Sequence, residues 1–152
     1  MVTEPLLQQT PVRHRNLAFV GLVSLVTLSI YTFYLIYQWA KELNGLEGRD
    51  KYSPGLMLAI SIITLGAGAA IIECVFAYEL ETRARARNIF GALPFVTVFV
   101  AALNVVAFAI GLFTEYWVVG LLTGVMATVL VQRELNILSS HVRPMAAAHA
   151  RP

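Results

Sequence analysis

Three apolar stretches, residues 17–38, 56–72 and 93–113, are each long enough to cross a bilayer, and a fourth at 116–131 falls slightly short without its flanks. About 20 predominantly apolar residues span the ~30 Å hydrocarbon core as a helix. The possible folds therefore narrow to those that satisfy every backbone hydrogen bond without water. The second stretch continues past Glu73 to residue 77. Only 13% of the 152 residues are charged against 58% hydrophobic, too little charge to cover a soluble domain. The expectation is an all-α integral membrane four-helix bundle over residues 13–138, between mobile tails at 1–12 and 139–152.

The first stretch reads as a retained anchor, because it exceeds 20 residues, lacks a small-x-small cleavage site and follows a polar dozen. With the N-terminus inside, Arg13, Arg15, Arg83, Arg85, Arg87, Arg133, Arg143 and Arg151 are cytoplasmic, against Lys41, Arg49 and Lys51 outside. That asymmetry predicts a multi-pass protein of the plasma membrane with both termini cytoplasmic. It also accounts for the R-A-R-A-R run at 83–87, so nucleic acid is not an expected partner. Tyr37 and Trp39, with Tyr116 and Trp117, are expected to form one outer aromatic belt. A competing topology has the first two stretches dip in and return as hairpins broken near Ser29 and Gly66, which leaves every basic residue on one side.

The chain repeats itself. Shifting residues 24–43 by 37 positions onto 61–80 matches Ser24 with Ser61, Thr27 with Thr64, Leu28 with Leu65, Ala40 with Ala77, Glu42 with Glu79 and Leu43 with Leu80, without a gap. Shared hydroxyl spacing and a shared Glu-Leu end exceed what apolar composition alone produces. The segment S-L-V-T-L-S-I-Y-T-F-Y-L-I-Y-Q-W-A-K-E-L-N, the echo S-I-I-T-L-G-A-G-A-A and the closing V-Q-R-E-L-N resemble a bacterial and archaeal integral-membrane family. That family is known only as a domain of unknown function, four-two-three-four, with a T-x-G-I-Y-like segment, an E-L-N helix end and a final Q-x-E-L-N. The resemblance covers residues 15–138. Ser29 stands where the pattern has a glycine, and A-G-A-A from Ala67 replaces its second aromatic run. It implies a small multi-helix membrane protein and lends no catalytic residue.

On a continuous helix Ser24, Thr27, Tyr31, Tyr34 and Gln38 fall on one stripe, expected to be an interhelix seam. Ser61, Thr64, Gly66, Ala70, Gly120 and Gly124 are expected to be helix-packing positions, the small residues permitting close backbone approach. Glu73 is the one acidic residue inside an apolar stretch, which makes it a candidate site. It is expected near the inner helix end, ion-paired to Arg133, with Arg83 an alternative. A proton or cation site with Asn104 is the competing reading. The two E-L-N segments, at 42–44 and 134–136, are expected to terminate helices.

The sequence carries no nucleophile–base pair, paired catalytic carboxylates, phosphate loop or metal spacing, and no cofactor is implied; His14, His141 and His149 lie apart. These observations predict a non-enzymatic membrane protein embedded in lipid that self-associates or serves as a subunit of a larger membrane complex. The alternative is a small homo-oligomeric transporter or channel using Glu73.

Overall fold

The computed structural model describes residues 13–47, 50–64, 66–113 and 115–149. Among these the chain is all-α, with six helices and no strand: α1 (Leu17–Val26), α2 (Ile30–Glu47), α3 (Pro54–Ile63), α4 (Ala67–Ala86), α5 (Val96–Phe113) and α6 (Trp117–His149). Six helices replace the four expected, because the first two apolar stretches each break in the middle. α6 continues to His149, past the expected domain limit at residue 138.

Each break reverses the chain. Arg15, just before α1, bonds Glu42 near the end of α2 at 2.6 Å across 27 residues. A continuous helix would hold them about 40 Å apart. Tyr52, just before α3, bonds Glu79 on α4 at 3.0 Å across the same 27 residues. A third reversal brings the backbone amide of Leu93 to Glu134 at 3.2 Å. The chain is thus three helical hairpins with their open ends at one face, the base, and their turns at the other, the tip.

The hydrogen bonds of the first two turns are superposable on the repeat. Thr27 and Thr64 close their helices, their amides donating to Val23 and Ile60 at 2.9 and 3.0 Å. Ser29 and Gly66 then donate to Ser24 and Ser61 at 2.7 and 2.9 Å. This six-to-one bond satisfies a helix-end carbonyl and directs the chain outward. Each threonine hydroxyl donates to the carbonyl four residues back and accepts an amide of the next helix, Tyr31 at 3.1 Å and Gly68 at 2.7 Å. Leu28, Ser29 and Gly66 have positive φ, 49°, 67° and 94°. Only at Gly66 is that free of Cβ strain.

The third hairpin is longer and tightly closed. A Cβ at Gly120 would lie 2.8 Å from the Ala107 carbonyl oxygen and 3.0 Å from the Gly111 nitrogen, so α5 and α6 touch through their backbones. The helices close into a ring in which each packs on its chain neighbour and α6 returns to α1.

The base is held by one motif used three times. Glu42, Glu79 and Glu134 each grip the leading segment of their own hairpin, through Arg15, through Lys51 and Tyr52, and through the Leu93 amide. Two residues later, the side chain grips the leading segment of the next hairpin. Asn44 makes a two-bond clamp on the Tyr52 backbone (2.7 and 2.9 Å), and Glu81 accepts from the Thr97 amide and hydroxyl (3.0 and 2.6 Å). Asn136 clamps the Arg15 backbone (2.7 and 3.2 Å), closing the ring from the third hairpin to the first. The intervening Leu43, Leu80 and Leu135 are buried in the core. The E-L-N segments therefore terminate no helix. An asparagine side chain sets an N–H donor beside a carbonyl acceptor, so it can pair with both the N–H and the C=O of one backbone residue, and here that capacity joins hairpins.

Gln132 is the hub beneath the clamps: its carbonyl accepts from Trp39 (2.8 Å) and Arg15 (3.1 Å), and its amide donates to Asn136 (2.8 Å). Trp39 is fully buried beside Phe76, while Tyr116 and Trp117 are exposed at the tip. The single aromatic belt expected from the sequence does not form, because the reversal at Ser29 sends Trp39 back to the base.

Candidate functional site

A cavity of about 330 Å³ opens among the three tips. Its floor is polar and its walls are mostly apolar. Glu73 enters from the second turn of α4 and is 2% exposed. One carboxylate oxygen accepts from the Thr128 hydroxyl of α6 at 2.6 Å, the other from the Asn104 amide of α5 at 3.1 Å. Thr32 of α2 lies 3.3 Å from the Thr128 hydroxyl, so all three hairpins contribute to the floor. A hydroxyl has one proton. With Thr128 donating to Glu73, Thr32 supplies the hydrogen across that gap.

The expected pairing of Glu73 with Arg133 is not made. Arg133 bonds Glu134 and the Gly91 carbonyl at the base, and Arg83 bonds Glu79. The break at Gly66 is the physical reason. A continuous helix would carry Glu73 to the inner end, but α4 restarts at Ala67 at the tip and leaves Glu73 only about 9 Å along it. Asn104 does reach Glu73. The sequence signals Thr32 and Thr128 only as hydroxyls within apolar runs, and the four-residue spacing of Thr128 with Gly120 and Gly124 matches a packing face equally well.

The other anticipated positions separate into groups. Ser24, Thr27, Tyr31, Tyr34 and Gln38 form no continuous seam, because the helix carrying them is broken. Ser24 is buried in α1 with its hydroxyl unmatched, Thr27 serves the turn, and Tyr31 stacks on the half-exposed Tyr34 at 5.5 Å. Gln38 is half-buried on α2. Ser61 is buried and donates to the Met57 carbonyl, and Thr64 holds the second turn. Gly66, Ala70, Gly120 and Gly124 all line the cavity. Gly120 is also the backbone contact with α5, whereas a Cβ at Gly124 would meet Ala107 at an ordinary 3.8 Å.

At the base, burial pushes the Glu42 carboxyl above its usual range against the pull of Arg15. Glu79 is the reverse case. Burial raises it, but hydrogen bonds from Lys51, Tyr52 and Arg83 prevail and hold it at about 2.

Residues 15–86 match the domain of unknown function DUF4234. The match takes in the two broken hairpins, α1 to α4, and stops short of the third, where the resemblance had been expected to run to residue 138. No curated protein and no solved structure matches the chain.

Proposed function

We propose that this chain is a non-enzymatic integral membrane module, inserted from the cytoplasmic face of a bacterial plasma membrane, that packs against a second copy or a larger membrane-protein partner. One observation carries the reading. α5 has a mean hydropathy of 2.5 yet only 17% of its residues are buried, the opposite of a soluble core helix. Phe99, Val105, Leu112 and Phe113 on α5 are exposed, as are Phe19, Leu22 and Val26 on α1 and Ile60, Ile62 and Ile63 on α3. An apolar surface of this extent calls for lipid or protein, not water.

In this reading only the third hairpin crosses. α5 and the Trp117–His141 part of α6 are long and apolar enough to do so, α5 rising about 27 Å. The ten-residue α1 and α3 rise about 15 Å and dip to mid-depth. Non-helical backbone is tolerated at that depth where it lines a protein cavity, and Leu28, Ser29 and Gly66 do. All three hairpins then open at the cytoplasmic face, and the basic residues of the base meet anionic headgroups there.

The test is accessibility labelling in membrane vesicles of cysteines placed at Asp50 and Ser140, in a Cys74→Ser background. Both react from the cytoplasmic side; reaction of Asp50→Cys from the opposite side overturns the topology. Mass in mild detergent and pull-down from native membrane test the packing role. A bare monomer with no co-purifying membrane protein argues against it.

A further inference from the structure

We propose that the cavity among the three tips binds an organic ammonium ion with a compact apolar body, the ammonium docking on the Glu73 carboxylate. Glu73 is buried, and its two polar partners, Thr128 and Asn104, are neutral donors. A carboxylate removed from water is costly unless a cation is near. The described ion pairs all lie at the base, engaging Glu42, Glu79, Glu81 and Glu134. A carboxylate accepts up to about four hydrogen bonds. Thr128 and Asn104 take two and fix the group's orientation, and the N–H donors of an ammonium match the remaining lone pairs.

Wall chemistry selects the rest of the ligand. The volume falls in the range of small-molecule sites, which are mostly apolar with a few polar groups that fix orientation. Phe33 and Phe108 line this cavity with Leu28, Leu112 and Leu121. Aromatic faces attract a cation as well as an apolar body. A bare metal ion fits poorly, since hard cations take six or more oxygens, and among the described residues no group of three metal-binding side chains occurs. An anion is excluded by Glu73. The site is formed within one chain and does not depend on whether the outer surface takes a partner.

The experiment is calorimetric titration of the full chain in detergent with 2-phenylethylammonium, against the neutral 2-phenylethanol. Saturable binding of the ammonium, at least tenfold weaker binding of the alcohol, and at least tenfold weakening by Glu73→Gln are expected. Equal binding of the alcohol, equal binding by Glu73→Gln, or no saturable binding of the ammonium overturns the proposal. Should Glu73→Gln fail to fold, Gly111→Leu serves instead. A Cβ at Gly111 meets nothing within 4 Å, and the residue lines the cavity, so a larger side chain there fills the space and leaves the carboxylate in place. It should abolish ammonium binding; unchanged affinity rejects the site.

Discussion

The first and second hairpins make the same turn from different residues. Both close on a threonine with φ near −90° and ψ near 10°, and both bond the second residue beyond it to a serine carbonyl. The residue that makes this last bond is Ser29 in one and Gly66 in the other, at positive φ in both. Their bases differ more. Arg15 and Glu42 form a nearly dry pair, with side chains 9% and 3% exposed. Lys51 and Glu79 form a wetter one, at 36% and 18%, reinforced by Tyr52 and Arg83. Hydrogen-bond geometry defines the reversal. Side-chain identity sets only how much strain it carries and how its open end is held.

The largest test of that contrast is Arg15→Met. It leaves Glu42 buried without its cation and withdraws a donor from Gln132, at a cost of about 3–5 kcal/mol. Lys51→Met leaves Tyr52 and Arg83 on Glu79 and should cost below about 1 kcal/mol. Denaturant titrations of both variants in one detergent measure the gap; equal losses would show that the two bases are equivalent. Gly66→Ala comes next. Its Cβ meets no atom within 4 Å, so its cost, about 1–3 kcal/mol, is purely the left-handed backbone and should appear as a lowered thermal midpoint.

Ser29→Gly is a smaller effect of opposite sign. It should stabilise by about 0.5–1 kcal/mol, the relief of Cβ strain less the added freedom of the unfolded chain, and bring the two turns to equal protection in hydrogen exchange. The mildest lever is pH. Glu79, held at about 2, contributes stability above the ordinary glutamate value near 4.3, and that contribution is lost as pH falls through about 2. Glu42, raised by burial, has the opposite sign: its shift favours the folded state below the ordinary value and is withdrawn as pH rises through its own. Carboxyl NMR on acidification should therefore see Glu42 protonate before Glu79; the reverse order would mean that Arg15 outweighs the burial of Glu42.

Much of the fold was legible in particular residues. The apolar runs gave the helices, and the hydroxyl spacing of Ser24 and Thr27 against Ser61 and Thr64 exposed the repeat. Glu73 and Asn104 stood out as polar groups within apolar runs, and they do meet. Illegible were the pairing of Thr128 with Glu73 and the clamps of Asn44, Glu81 and Asn136. Each joins residues that no helical periodicity brings together. Local rules assign E-L-N to a helix end because they carry no term for a backbone arriving from another hairpin.

By itself the sequence determined that the chain is helical, that its helices carry far more apolar surface than they can bury in one another, and that two quarters of it are built alike. Composition and period are properties of the local chain, and hydrocarbon burial and helix formation respond to them directly. Only the tertiary structure decided that two long apolar runs reverse and do not continue, that the three Glu-Leu segments close a ring, and that Glu73 faces a cavity and not an arginine. A reversal turns on the dihedrals of one or two residues, and the ring on contacts between distant segments, both below the resolution of a hydrophobic pattern.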